Sequence, residues 1–330
     1  MSLGEKLGKI FHPIGKNRKI LPILWVVALV LSFAVQKFGL LNTYTIFILT
    51  TICIHVILCA SLNLVNGYMG EFSVGHAGFM ALGAYTSAIF TTKIYPGMAS
   101  VWTFPLAVLA AGAFAAFIGF FLAVLSFKTR GDYLAIITLA FLMIVKSALE
   151  NIPYVGGPRG MLGIQPLTTL LGAFVWASLT IWLLRNLIYS KFGRAITAIR
   201  CDEIAANAMG VRTREAKILA FVISAFLTGV AGALFAHQIM FINPGSFDII
   251  KSTEVLVMVY LGGTGSLAGS ILGATIFTLL SEWLQPLGTW RMVVMPLLLV
   301  FLMLFYPKGI LGFRELPWFL PKRKGVTSHE

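Results

Sequence analysis

The chain has 330 residues, 58% hydrophobic and only 11% charged, with a mean hydropathy of +0.90. An ordinary soluble domain carries about 25% charged residues, so that class is excluded. A net charge of +13 would suggest nucleic acid in a soluble protein, but most of the Lys and Arg fall in four clusters that fit one side of a membrane, which excludes nucleic acid as the partner and makes lipid the solvent.

Several apolar runs reach about 20 residues, the length that crosses a hydrocarbon core as helix. Backbone groups inside lipid must be satisfied within the chain, so these runs are predicted helical. The short alternating segments of a membrane β-barrel are absent. The fold class is all-α: a polytopic transmembrane helix bundle of about 10 spans, two of its segments broken by glycine.

Residues 1–19 form a basic N-terminus with Lys6, Lys9, Lys16, Arg18 and Lys19, ahead of the apolar run 20–35. Ser32-Phe33-Ala34 fits a signal cleavage site, but the long basic lead and the many later spans favour an uncleaved first helix. Residues 44–65 are the second span, with His55 and Asn63 as polar members. The stretch 63–85 follows, NLVNGYMGEFSVGHAGFMALGAY. Gly67, Gly70, Gly75, Gly78 and Gly83 interrupt it, and Glu71, Ser73 and His76 sit between them. Broken backbone at membrane depth is tolerated only where protein or a water-filled cavity surrounds it. This makes Gly67, Gly70, Glu71, Ser73, Gly75 and His76 candidates for a substrate pathway.

Residues 75–92 are a short third span and residues 101–127 the fourth. Ala115, Gly119 and Ala123 form a small-residue stripe on the fourth. Lys128 and Arg130 mark a cytoplasmic turn. The fifth span, 133–149, carries Lys146, which can pair with Glu150 at i, i+4. Residues 151–166, rich in Pro and Gly, read as an outer loop. Residues 168–189 are the sixth span.

Residues 189–217, YSKFGRAITAIRCDEIAANAMGVRTREAK, are the long polar run inside an oily chain. They carry six Lys or Arg: Lys191, Arg194, Arg200, Arg212, Arg214 and Lys217. A short helix is predicted over 195–209, with Gly210 at its C-terminal cap. The run reads either as a docking surface on the cytoplasmic face or as a solvated linker. Residues 218–240 are the seventh span, with a second small-residue stripe at Ala225, Gly229 and Ala233. Residues 241–253 read as outer loop.

Residues 254–284 are the second broken segment. Gly262, Gly263, Gly265 and Ser266 interrupt it and complete the candidate pathway set. It is either one kinked helix or two crossings. Counting two, with 291–306 as the last span, gives ten crossings and places both termini in the cytoplasm, including the basic tail 307–330. On this division the transmembrane domain covers 20–306, with the cytoplasmic polar loop at 190–217. Paired interrupted segments in opposite halves point to a site or pathway between them.

No P-loop, HExxH or GxSxG occurs, so no catalytic residue, metal site or cofactor is predicted and the protein is not read as an enzyme. Cys53, Cys59 and Cys201 lack metal or redox spacing and read as small apolar fillers.

Three stretches in this order resemble the branched-chain amino-acid ABC transporter permeases, specifically the LivM-type subunit of the LivH/LivM pair. They are Asn63 to Gly70 running into Ser73–Phe79 and Gly83-Ala84-Tyr85; Gly193-Arg194-Ala195 to Arg200 with Asp202 to Ala206 and Met209-Gly210; and Gly262 to Ser266 with Gly269 and Gly273-Ala274. The outer-loop Gly156 to Gly160 is similar to that family's GG-x-x-G. The likeness runs from about residue 44 to residue 312. It implies a permease domain in an importer for Leu, Ile or Val in the bacterial inner membrane. It implies as partners a LivH-type permease, two cytoplasmic ATPases and a periplasmic substrate-binding protein. The polar loop then matches the family's coupling loop, with Arg200, Glu203, Ala205, Ala206 and Gly210 as ATPase-coupling residues. Ile204 departs from that pattern, which has Ala after Glu, and this leaves the contact face open. An ABC permease for urea or other amides shares these motifs, and an ion-coupled secondary carrier is the more distant alternative.

Overall fold

The computed structural model describes residues 42–94, 103–128 and 133–290, with isolated residues between 293 and 315. The basic N-terminus 1–19, the apolar run 20–35, most of the last apolar run 291–306 and most of the tail 307–330 lie outside the described residues. The described part is helical, and its only β-pairing is an isolated bridge between Met161 and Ile242.

The helices, in chain order, are α1 (Thr43–Asn63), α2 (His76–Ile89), α3 (Phe104–Ser126), α4 (Tyr133–Asn151), α5 (Leu170–Ile188), α6 (Lys191–Cys201), α7 (Glu203–Ala208), α8 (Thr213–Ile239), α9 (Ile249–Gly262) and α10 (Leu267–Trp283). α1 runs on as a wide π-turn over Leu64–Met69. With that extension included, five helices among the described residues are long and apolar enough to cross a membrane: Thr43–Met69, Phe104–Ser126, Tyr133–Asn151, Leu170–Ile188 and Thr213–Ile239.

α8 is the axis of the bundle and packs against α1, α2 and α3. Small residues make this possible, because close backbone approach is what drives helix association in lipid. The two small-residue stripes meet each other. A Cβ on Gly119 would lie 2.6 Å from Ala225 Cβ, and one on Gly229 2.6 Å from Ala115 Cβ. α2 closes on the same glycine of α8, where a Cβ on Gly83 would meet the Gly229 carbonyl at 2.1 Å. Phe79, Phe141 and Phe221 fill the space between α2, α4 and α8. The large side chains of α3 at Phe114, Phe117, Phe120 and Phe121 point outward, as a lipid-facing surface requires.

α9 and α10 form an antiparallel hairpin. A Cβ on Gly262 would fall 2.0 Å from the Gly269 carbonyl oxygen, and one on Gly273 2.1 Å from that of Met258. One helix therefore ascends as the other descends, with residues 263–266 as the tip. Their 14 and 17 residues span about 21 and 25 Å at 1.5 Å per residue.

Three local expectations are corrected. The helix predicted over 195–209 is two helices, α6 and α7. Asp202 breaks it, leaving helical geometry (φ −161, ψ 114) to accept hydrogen bonds from Ile204 N and Ala205 N; this is the N-cap competition that makes Asp a poor helix interior residue. The outer loop 241–253 is shorter than predicted, because the Asp248 carboxylate accepts from Ile249 N and starts α9 there. Lys146 pairs with Asp248 at 2.7 Å, across to another element, rather than with Glu150.

The Lys146–Asp248 pair ties α4 to the start of α9, at the end opposite the polar helices. The Lys146 ammonium, and next the Ile249 N–H, hold the Asp248 carboxyl below its ordinary value of 3.8. Its folded pKa is depressed, so its contribution to stability is present above about pH 4 and lost as pH falls through the lowered value. Both side chains are partly exposed, which limits that contribution to below about 1 kcal/mol. Asp248→Asn should therefore melt slightly earlier than the parent at pH 7. The two melting curves in detergent should converge as pH falls through that lowered value.

Candidate functional site where the two broken segments meet the polar helices

The two glycine-broken segments touch each other. Asn63, the last residue of α1, donates from Nδ2 to the Ser266 carbonyl and to Ser270 Oγ, both at 2.8 Å. Its Oδ1 accepts from Gly265 N at 2.8 Å. All of these groups are buried. A buried amide that satisfies both its donor and its acceptor side specifies one register at the crossing. Gly67 makes room for it: a Cβ there would lie 1.8 Å from Asn63 Oδ1 and 2.4 Å from Gly265 N. The crossing thus needs glycine at 67 for clearance.

The π-turn ends at Gly70, which has φ 80 and leads into the non-helical stretch up to Gly75. This stretch touches the polar helices at two points. A Cβ on Gly70 would meet Arg200 Cγ at 2.9 Å, so the bend lies against the side chain of α6. Lys217, on the first turns of α8, lies between two carboxylates. Its Nζ is 2.5 Å from Glu71 Oε1 and 2.7 Å from Glu203 Oε2, and its side chain is only 8% exposed. The Phe127 ring covers it with the centroid at 5.8 Å. Taking an ammonium out of water costs several kcal/mol, which two carboxylates in contact offset. Glu203 is the first residue of α7 and Glu71 belongs to the broken segment. Lys217 therefore joins the polar helix to the glycine break through one buried cation.

Beyond the bend, Ser73 N donates to Asn66 Oδ1 at 3.2 Å and Gly75 packs on the Thr138 carbonyl of α4. His76 Nε2 contacts Ser224 Oγ at 2.9 Å, and Ser224 Oγ in turn donates to the Ser61 carbonyl. Asn66 Nδ2, Ser73 Oγ and His76 Nδ1 are buried and have no hydrogen-bond partner among the described residues. Such groups are rare in native proteins and usually mark water or function.

On α7, Ala206 is 5% exposed and packs inward with Ile199 and Ala216. Ala205 faces out. Ile204 and Met209 are 84% and 85% exposed. Gly210 has φ 81, and a Cβ added there would meet nothing within 4 Å. It turns the chain back while Val211 N bonds the Ala206 carbonyl. That 6→1 bond with a left-handed residue is a Schellman-type ending.

The structure thus gathers seven of the predicted residues into one assembly. Gly67, Gly265 and Ser266 meet through Asn63, Gly70 meets Arg200, and Glu71 meets Glu203 through Lys217. It leaves others apart. His76 and Gly75 turn toward α8 and α4, Gly262 serves the hairpin's own packing, and Ala205 and Gly210 are remote from the crossing. Asn63 and Lys217 are absent from the predicted site. Both carry a signal in the sequence, an amide inside an apolar run and a cation at the edge of one, but only packing shows what each joins.

A helical membrane bundle in which two interrupted segments cross at the polar-loop end fits the class of membrane permeases. The family model described as "Branched-chain amino acid transport system / permease component" matches residues 44–304, and the chain belongs to that family. It is 34% identical to the high-affinity branched-chain amino acid transport system permease protein LivM of Escherichia coli K12, over 90% of this chain and 75% of that protein. It is 33% identical to LivM of Salmonella typhimurium LT2 over the same shares. Identity to the BraD permease of Pseudomonas aeruginosa is 31%, over 49% of this chain and 53% of that protein. No solved structure matches the chain.

Proposed function

We propose that this chain forms the membrane pathway of an ATP-driven importer of branched-chain amino acids and is moved by separate ATPase subunits docked on α6 and α7. The observation that carries this reading is the Lys217 bridge between Glu203 on the polar helix and Glu71 in the glycine break. A push on α7 reaches the broken segment through one buried ion, and a push on α6 through the Arg200–Gly70 contact. The exposed pair Ile204 and Met209 offers the apolar anchors that a docking groove would bury. The inward-facing Ala206 seats the loop rather than meeting the partner.

The remaining partners in this reading are a LivH-type permease, two cytoplasmic ATPases and a periplasmic binding protein, all in or at the bacterial inner membrane. ATP binding closes the ATPase pair. The docked helices rock the bundle, and the crossing at Gly67 and Gly265 opens. The binding protein supplies affinity, so the pathway can be weakly lined. The unpartnered polar atoms of Asn66, Ser73 and His76 fit a pathway that is wet for part of its cycle. The hairpin of α9 and α10 returns the chain to the side it left, which keeps the number of crossings even. With 20–35 and 291–306 as the first and last spans, both termini and the polar helices then share the cytoplasmic side.

Uptake of labelled leucine by membranes holding the full importer, challenged with Leu, Ile, Val and urea, tests the substrate. Competition by urea and not by the three amino acids would overturn it. Ile204→Asp with Met209→Asp should leave thermal stability within about 0.5 kcal/mol, because both side chains are solvent-exposed. The same double variant should lower uptake and substrate-stimulated ATP hydrolysis at least about tenfold, the loss of one good anchor. Parent-level coupling in this variant, or full accumulation without any ATPase, would refute the docking role.

A further inference from the structure

The chain returns to the crossing after its last apolar run. Ile310 N donates to the Leu261 carbonyl at 3.0 Å and Leu311 N to the Gly262 carbonyl at 3.1 Å. These carbonyls end α9 and have no helical partner of their own. Gly309 lies so close that a Cβ would meet the Tyr260 carbonyl at 2.4 Å and Gly263 Cα at 2.6 Å. Glu315 completes the wrap. Its Oε1 accepts from Leu267 N, the first residue of α10, at 2.6 Å. The same oxygen accepts from Tyr68 OH, on the π-turn of the other broken segment, at 2.5 Å. Its second oxygen is buried and has no partner among the described residues. One carboxylate thus fastens the hairpin tip to the segment that ends at Gly70.

We infer that Glu315 is a positioning residue for transport, a latch that holds the two broken segments closed on each other and releases when the pathway opens. A carboxylate suits the role. It complements the positive end of α10, and hydrogen bonds to a charged acceptor are stronger than neutral ones. Tyr68 is a second, separable point of attachment. The latch is an addition to the Asn63 crossing, since it joins the same two segments from outside through the tail. It rests on the pathway assigned above. Its test is read without substrate or nucleotide, so the latch and the transport reading fail separately.

The test uses the full chain in membranes with its partner subunits, in a Cys53→Ser, Cys201→Ser background carrying Thr264→Cys. Thr264 lies in the hairpin tip and is 9% exposed. The readout is the rate of maleimide labelling at position 264, with the fully buried Cys59 as the internal control. Glu315→Ala should raise labelling at 264 about tenfold, as loss of bonds to a charged acceptor implies, and leave Cys59 unlabelled. Glu315→Gln keeps an acceptor oxygen for both donors but loses the charge, and should fall between the parent and the alanine variant. Tyr68→Phe removes one of the two bonds and should fall between; it also serves if Glu315→Ala does not accumulate. An unchanged rate in Glu315→Ala would overturn the latch. So would a rise at 264 and Cys59 alike, which means general loosening, or a glutamine variant that labels as fast as the alanine one.

Discussion

Lys217→Met is expected to reduce uptake at least about tenfold while the protein still reaches the membrane. The substitution leaves Glu71 and Glu203 facing each other without the cation that both contact. Breaking a fully buried pair costs about 3–5 kcal/mol. Here Glu71 and Glu203 keep some access to water, so the loss of stability should be smaller, about 2 kcal/mol. Lys217→Arg can still reach both carboxylates and should retain a measurable fraction of transport. Combining Lys217→Met with Glu71→Gln removes one unpaired charge. That double variant should recover stability without recovering the ratio of uptake to ATP hydrolysed. The split separates a relay from a scaffold, because a scaffold would regain both together. Uptake and coupling in Lys217→Met within about twofold of the parent would dispose of the relay.

Gly67→Ala is the second large effect. A methyl group at 67 would lie 1.8 Å from Asn63 Oδ1 and 2.4 Å from the Gly265 backbone nitrogen. Neither neighbour can give easily: one is held by three hydrogen bonds and the other is main chain. Displacing Asn63 leaves buried donors and acceptors unpaired at about 1–3 kcal/mol each. The total should reach about 3 kcal/mol or more, seen as a fall in melting temperature in detergent and as lost uptake. Asn63→Ala should produce a similar loss without any added bulk, which identifies the hydrogen bonds as the cause. Gly172→Ala is the control. It sits in the first turn of α5, where a Cβ would approach only Thr169 Oγ1, at 3.2 Å, and its effect should stay within about 0.5–1 kcal/mol. If Gly67→Ala melts and transports like Gly172→Ala, the crossing is not the tight point of the structure.

Much of the architecture is legible from residue order alone. Lipid has no water to satisfy backbone groups, so a run of about 20 apolar residues can only be helix. The second, fourth, fifth, sixth and seventh apolar runs correspond to described helices within a few residues at each end. Composition also marks where the chain is broken, because glycine clusters and a basic polar run stand out in an apolar background. The small-residue stripes on α3 and α8 are visible as periodicity too, since the spacing that aligns them on one face is local.

What each of those features touches is not local, and only the tertiary structure decides it. Nothing in the spacing of Ala115 and Gly229 says that they face each other. Lys217 reads as one more basic residue until α8 places it under the Phe127 ring and between two carboxylates that are 132 residues apart in sequence (203 − 71). Asp202 divides a predicted helix because its side chain has the backbone of Ile204 and Ala205 to bond, a local competition that propensity leaves undecided. Residues 254–284 permit a kink or a reversal on sequence grounds, and the backbone contacts of Gly262 with Gly269 select the reversal. Apolar length and glycine content are properties of one segment. Ion pairs, buried amides and close glycine crossings are properties of two, and their energies exist only once the bundle has brought the partners together.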